Sequence, residues 1–262
     1  LATAALALVI LLGGIRRIAD VSSVLVPVMA LLYLGGGLAV ILGNLRRLPE
    51  ALILMLRCAV APEAALGGAL GIVTRREALR WGVARSVFSN EAGLGSASIT
   101  AACADTDEPV KQGLISMTGV FFDTMVICTV TGLAICCSGT LGAADGNGLP
   151  LTGAALTLRA FETVLGPLAP WLIGAALGLF AFTSVLGCAV QAETTASYLL
   201  GPEAVRPCRV LYGLAVFVGA VIPMATVLQL ADLANALMAF SNLVCLLLLS
   251  GEIAGECGRK ER

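Results

Sequence analysis

Residues 85–105 read RSVFSNEAGLGSASITAACAD, an apolar stretch of bilayer length with a polar and glycine-rich interruption in its middle. A carboxylate at the centre of a spanning helix costs about 2.5–3.5 kcal/mol, so a chain normally keeps one where it lines a cavity or pathway. Gly93 and Gly95 each lower helix stability by about 1 kcal/mol relative to alanine and let the backbone unwind. The stretch therefore predicts a broken helix with Glu91 at the break.

Broken membrane helices are typical of transporters. The N-terminus of a half-helix presents partial positive charge to a carboxylate, and freed backbone carbonyls can coordinate a cation. This chemistry suits an amino acid that moves together with sodium. The alternative is that Gly93 and Gly95 only permit close helix packing, with Glu91 at a membrane edge. The clustering of the polar residues favours the broken helix.

The composition of the whole chain predicts a membrane protein. Of 262 residues, 58% are hydrophobic and 13% are charged, and the mean hydropathy is +0.97. Such a chain has too little polar surface to cover a soluble globule of this size. The net charge of -1, without a basic run, argues against a nucleic-acid partner. We therefore expect an all-α integral membrane protein that crosses the cell membrane several times, with the lipid bilayer as its surroundings.

Apolar runs divide the chain into candidate membrane helices, each of which needs about 20 residues to cross the hydrocarbon core. We predict a single transmembrane domain over residues 1–262, with a charged turn at residues 16–20 (RRIAD) and a long loop at residues 44–81 that carries amphipathic or re-entrant helices. The predicted spans are a partial one at about 1–14, then 24–42, 82–104, 113–137, 167–190, 210–227 and 228–250. Because the chain begins LATAALALVILLGG, we expect its first helix to start before Leu1.

Two later spans carry small polar residues at helical spacing. Thr124, Cys128 and Thr131 share one helix face next to Asp123, a face that either lines a water-filled path or forms hydrogen bonds between helices. The last span carries a narrow polar stripe, which must face protein or water rather than lipid. The stripe consists of Asp232, Asn235, Ala239 and Asn242.

The predicted span at residues 167–190 carries two adjacent hydroxyl groups at Thr183 and Ser184. Two neighbouring hydroxyls can replace part of the hydration shell of a sodium ion, because hard cations prefer oxygen ligands. The alternative is that both hydroxyls bond carbonyl groups of their own helix. The pair alone leaves both interpretations open.

The residue types argue against an enzyme, a cofactor and a metal site other than sodium. The nine cysteines lie mostly in apolar stretches without metal-ligand spacing, and histidine is absent. An intramembrane enzyme could use Glu91 and Asp123, but no nucleophile motif accompanies them. We predict no catalytic residue and no cofactor. A non-transporting membrane scaffold or remnant is the other alternative.

The motif SNEAGLGSASITAACAD at 89–105, followed by EPVKQGLISMTGVFFDTMVICTVTGLAI at 108–135, closely resembles the alanine or glycine:cation symporter family. Similarity extends upstream to GGIRRIADVSSVLVPVMALLYLGGG and downstream to FAFTSVLG and LADLANALMAFSNLVCLLLLSG. The resemblance implies a partial leucine-transporter-like inverted-repeat fold, from the end of the fourth helix through the tenth. It also implies import of alanine or glycine, small neutral amino acids, with sodium as the coupling ion.

The resemblance assigns site residues by position. Substrate would lie against the broken sixth helix and the eighth helix, and sodium would be bound by oxygen atoms of the seventh and eighth helices. The substrate-binding candidates are Phe88, Ser89, Asn90, Glu91, Gly93, Gly95 and Cys188. The sodium-binding candidates are Thr183, Ser184, Asp123 and Thr124.

Three departures from the family pattern carry expectations of their own. Cys188 replaces a tryptophan that usually follows the motif of the eighth helix, which removes bulk and predicts a wider pocket with an altered substrate. Glu108 and Pro109 replace a His-Pro pair, so pH-dependent gating is not implied. The GTGN-like motif of the family's first half is absent from these residues. We therefore expect the chain alone to hold half of a composite pocket and not to transport by itself.

Overall fold

The computed structural model describes residues 14–60, 75–146 and 148–260, and these residues are helical except for turns and one isolated β-bridge between Ala144 and Pro150. The prediction of an all-α protein is thus confirmed. Residues 1–13 of the predicted partial span and residues 61–74 of the predicted loop lie outside the described residues. The α-helices are α1 Gly14–Gly43, α2 Leu48–Val60, α3 Arg75–Asn90, α4 Ser96–Ala101, α5 Pro109–Val120, α6 Cys128–Ser138, α7 Gly153–Leu165, α8 Ala169–Leu200, α9 Val205–Val221 and α10 Met224–Lys260.

Five helical segments of the described residues are long and apolar enough to cross a membrane, which confirms a multi-pass membrane protein. They are Ile18–Gly43, Pro109–Ser138, Gly153–Leu200, Pro202–Val221 and Met224–Gly255. The predicted span at 82–104 is not one of these continuous segments, because an interruption at residues 91–95 divides it into α3 and α4. Large apolar side chains of α10, such as Phe240 and Leu248, are exposed along the helix, as lipid contact requires.

Two boundaries differ from the prediction. The charged segment RRIAD is not a turn, because residues 16–20 lie within the first turns of α1. The last two spans meet at Ile222 and Pro223 rather than at 227/228. Ile222 is extended, with φ -72° and ψ 145°, because a residue before proline is disfavoured in the helical region. The proline therefore ends α9 earlier than the apolar pattern indicates.

The described chain forms two compact units. Among the described residues, unit 1 comprises 14–22, 86–121 and 182–260, and unit 2 comprises 23–60, 75–85 and 122–181 without residue 147. The core of unit 2 joins α1, α6, α7 and the beginning of α8 around Tyr33 and Phe161. Gly36 and Gly37 let α1 approach this core, since a Cβ on Gly37 would stand 2.5 Å from a methyl carbon of Val130. A smaller core in unit 1 joins Ile18 of α1 to α8.

Candidate functional site

The interruption between α3 and α4 is a tight turn of five residues, 91–95, in unit 1. Glu91 has φ 54°, and within the described ranges it is the one non-glycine residue with positive φ. Side chains rarely adopt this conformation, and strain of this kind concentrates at functional sites. Gly93 and Gly95 follow with φ 76° and 85°. The break thus lies at the residues where the sequence predicts it.

Local hydrogen bonds hold the turn in place of the helical ladder. The Ala92 amide donates to Asn90 Oδ1 at 2.9 Å, and the Leu94 amide donates to the Glu91 carbonyl at 3.1 Å. An asparagine side chain that accepts from the backbone two residues later offers an alternative to the helix. Asn90 and the two glycines therefore explain why α3 ends here.

The Glu91 carboxylate is held by two donors that meet at one oxygen. Ser96 Oγ donates to Glu91 Oε2 at 2.5 Å, and Gln191 Nε2 donates to the same oxygen at 3.2 Å. Gln191 Nε2 also lies 3.3 Å from Thr100 Oγ1 in α4. Hydrogen bonds to an ionised group are about twice as strong as neutral ones. The carboxylate is thus fixed to α4 on one side and to α8 on the other.

The polar stripe of α10 contacts the same interruption. Asn242 Nδ2 donates to the Gly93 carbonyl oxygen at 3.0 Å. The stripe residues Asp232, Asn235, Ala239 and Asn242 are half-buried on a helix whose other side chains are mostly exposed. The expectation that this stripe faces protein is confirmed at Asn242, whose side chain contacts the interruption.

One face of α8 lies towards the interruption. Ser184, Cys188 and Gln191 are spaced by four and three residues, so they share the face that carries the Gln191 contact to Glu91. Ser184 is exposed, and Thr183, three residues before the buried Leu186, is half-buried. Ser184 therefore shares more of this face than Thr183 does.

The two remaining sodium candidates belong to unit 2. Asp123 and Thr124 lie in a π-helical segment, Phe121–Ile127, between α5 and α6. Such π-turns within α-helices occur frequently at functional sites. Thr131, on the same predicted polar face, donates to the Ile127 carbonyl at 2.7 Å and lies 2.8 Å from Tyr33 Oη. Of the two interpretations of this polar face, the hydrogen bond between helices is observed at Thr131, which joins α6 to α1.

Sequence reasoning missed the two donors to Glu91, which are Ser96 and Gln191, and the second partner of Gln191, which is Thr100. Two of them lie in α4, five and nine residues after Glu91, where serine and threonine are common in membrane helices. Gln191 could have been recognised from the sequence. It lies at the end of the apolar run of α8 and seven residues after Ser184, so the two side chains share one face of the helix. That spacing gives one helix face, but it does not tell which neighbour the face meets.

The fold and this site define a multi-pass membrane protein with a polar interruption in a membrane-length helix. The model of the sodium:alanine symporter family matches residues 1–259. The chain belongs to this family, and the resemblance given by the SNEAGLG motif is confirmed.

Curated relatives agree with this assignment. An uncharacterized transporter of Haemophilus influenzae is 44% identical over 91% of this chain and 51% of its own length. The sodium/alanine symporter AgcS of Methanococcus maripaludis is 40% identical over 94% and 53%. The probable sodium/glutamine symporter GlnT of Bacillus subtilis is 39% identical over 92% and 48%. The chain spans about half the length of the curated relatives it matches.

Proposed function

We propose that this protein performs sodium-coupled symport of a small neutral amino acid, alanine or glycine, across the cell membrane. The observation that carries the proposal is the interruption at Glu91–Gly95, where a strained backbone and a fixed carboxylate replace a continuous helix. A zwitterionic amino acid needs a partner for its ammonium group and one for its carboxylate. Such an interruption brings a carboxylate and backbone groups outside the helical hydrogen-bond ladder to one place.

The proposed substrate residues are those of the broken helix and the facing helix. Glu91 is the candidate partner of the substrate ammonium, and Gly93 and Gly95, with positive φ, shape the backbone of the interruption beside it. Cys188 lies on the α8 face that carries Gln191, where a small residue leaves room for the substrate side chain. Phe88, Ser89 and Asn90 complete the proposed set at the end of α3.

Sodium is the proposed coupling ion. Thr183 and Ser184 offer adjacent hydroxyl oxygens on α8, and Asp123 and Thr124 offer carboxylate and hydroxyl oxygens in the π-helical segment. Oxygen donors of these types suit a hard cation. Moving one positive charge through 100 mV is worth about 2.3 kcal/mol, which supports roughly 40-fold accumulation of a neutral solute. We propose a leucine-transporter-like inverted-repeat fold within one transmembrane domain over residues 1–262.

Glutamine is a second candidate substrate. Two observations favour it: the probable sodium/glutamine symporter of Bacillus subtilis is 39% identical to this chain, and Cys188 is small where the family resemblance implies a bulky residue. A wider pocket would admit the longer side chain.

The test is uptake by proteoliposomes that contain the protein expressed from its own gene. We expect radiolabelled alanine to accumulate under an inward sodium gradient and not under a potassium or choline gradient. Unlabelled glycine should compete, and unlabelled leucine should not. Competition by glutamine at concentrations similar to alanine would identify the wider pocket. Uptake that is the same with and without the sodium gradient would contradict sodium coupling, and uptake no greater than that of protein-free liposomes would favour a non-transporting scaffold.

A further inference from the structure

A single amide group on α8 contacts both the helix interruption and α4. Gln191 Nε2 lies 3.2 Å from Glu91 Oε2, within the interruption, and 3.3 Å from Thr100 Oγ1, within α4. These contacts join residues that are 100 and 91 positions apart in the chain. The position of the break relative to α8 therefore depends on this side chain.

The same helix carries the proposed sodium hydroxyls. Ser184 precedes Gln191 by seven residues, about two helical turns, so the two lie on one face and about 10 Å apart along the axis. Both belong to the uninterrupted helix Ala169–Leu200. A shift or rotation of α8 on sodium binding would move the Gln191 amide with it, since a continuous helix transmits such a movement.

We infer that Gln191 is a positioning residue that couples sodium binding on α8 to amino acid binding at the interruption. The inference rests on the proposed function and goes beyond it by naming the residue that connects the two sites. When a bound sodium ion fixes the position of α8, Gln191 fixes the position of the Glu91 carboxylate. When the substrate occupies the interruption, the same hydrogen bond favours the ion-bound position of α8. Coupling of this kind is reciprocal.

The chemistry of the contact makes it sensitive to substitution. Glu91 Oε2 accepts from both Ser96 and Gln191. Loss of the Gln191 amide leaves one donor on a carboxylate of a membrane-length segment, and the remaining donor, Ser96, belongs to α4 rather than α8. The carboxylate then stays near its own segment but loses its connection to the ion-binding helix.

The experiment measures the dissociation constant of alanine with saturating sodium and with choline in its place, on the purified protein expressed from its own gene. The ratio of the two constants is the coupling factor, typically about 5–150-fold for linked sites. We expect Gln191→Ala to bring the ratio to within about twofold of one, because the hydrogen bond that links the helices is gone. The control is Gln229→Ala, the same chemical change at an exposed position of α10, which should keep the wild-type ratio.

Two further variants separate coupling from folding. Gln191→Glu places two carboxylates in contact, so it should give a ratio near one. Thr100→Val removes only the second contact of the Gln191 amide and keeps its contact to Glu91, so it should have a larger ratio than Gln191→Glu. This comparison remains informative if Gln191→Ala does not fold.

Three results would overturn the inference. The first is a Gln191→Ala protein that binds alanine more weakly by the same factor with and without sodium, which would make the residue merely structural. The second is a Thr100→Val protein with no larger ratio than Gln191→Glu. A wild-type ratio of one would overturn the proposed function itself, and it is recognised before any variant is compared.

Discussion

Asn242 of α10 satisfies the backbone of Gly93 and also fills the space beside Gly95. Its Nδ2 donates to the Gly93 carbonyl oxygen at 3.0 Å, and its Oδ1 lies 2.9 Å from the position that a Cβ on Gly95 would take. A carbonyl freed from a helix inside a membrane needs a partner, because lipid offers none. The contact explains why the helix can remain interrupted there and why residue 95 is glycine.

Replacing Asn242 by aspartate should destabilise the turn at residues 91–95. The change keeps the size of the side chain but turns the donor into an acceptor that faces the Gly93 carbonyl. An unsatisfied buried group costs about 1–3 kcal/mol, so we expect about a tenfold or larger loss in alanine affinity and a lower melting temperature. Binding and thermal unfolding of the purified protein measure both. Asn235→Asp, the same change on the same stripe, is the control; equal effects of the two substitutions would contradict this role of Asn242.

Gly95→Ala should be more damaging than Gly93→Ala. Both residues have positive φ, 85° and 76°, which costs an L-residue about 1–2 kcal/mol. Only at Gly95 would the new Cβ also meet Asn242, since the nearest atom to a Cβ on Gly93 is 4.0 Å away. We expect melting temperatures in the order wild type, Gly93→Ala, Gly95→Ala. Gly187→Ala on α8, where a Cβ meets nothing within 4 Å, should melt at or slightly above the wild-type temperature, because alanine favours a helix over glycine. A Gly95→Ala protein as stable as Gly93→Ala would refute the steric explanation.

The fold class and the break were predictable because their signals are local. Apolar length and glycine content predict membrane helices and the interruption at Gly93 and Gly95 without any knowledge of neighbours. The turn predicted at RRIAD was wrong because two arginines and an aspartate can lie within a helix as readily as in a turn. Pro223 indicates that α9 ends just before it. The predicted boundary at 227/228 followed the continuous apolar pattern instead of the proline.

The contacts of the site were not predictable, because they join distant parts of the chain. Asn242 was recognised as part of a polar stripe, but helical spacing gives a face and not its partner. Gln191 meets Glu91 through tertiary packing that spans 100 residues. The roles of Thr183, Ser184, Asp123 and Thr124 stay predictions that rest on the chemistry of their oxygen atoms and on the family resemblance.

The hydrogen bond between Tyr33 and Thr131 should stabilise unit 2. Tyr33 Oη lies 2.8 Å from Thr131 Oγ1, and the Tyr33 ring packs against Phe161 and Phe180. Tyr33→Phe keeps the ring and removes the hydroxyl, so we expect a loss of about 1 kcal/mol in the free energy of unfolding. Unfolding in mixed detergent micelles measures it. Tyr198→Phe, at a side chain that is 88% exposed, should have no effect; a Tyr33→Phe protein of unchanged stability would contradict the prediction.

The ion pair between Arg209 and Glu193 should contribute more than the pair between Arg159 and Glu162. Arg209 binds both carboxylate oxygens of Glu193, at 2.7 and 2.9 Å, and the two side chains are 21% and 16% exposed. Arg159 and Glu162 are 61% and 31% exposed and make a single contact of 3.1 Å.

The matched variants are Arg209→Gln and Arg159→Gln. We expect Arg209→Gln to lower the free energy of unfolding by about 2 kcal/mol, between the values for exposed and buried pairs, and Arg159→Gln by less than about 0.5 kcal/mol. Thermal and detergent unfolding of both proteins give the comparison. Similar losses at the two arginines would show that burial and bidentate geometry do not set the strength of the Arg209 pair.

Cotransport of sodium with the amino acid is the central claim, and the entry of radiolabelled sodium into proteoliposomes tests it most directly. The protein expressed from its own gene is reconstituted, and sodium entry is followed before and after external alanine is added. The account predicts that alanine accelerates sodium entry, and that Glu91→Ala abolishes the acceleration because the proposed ammonium partner is gone. Sodium entry that does not respond to alanine, glycine or glutamine would contradict it.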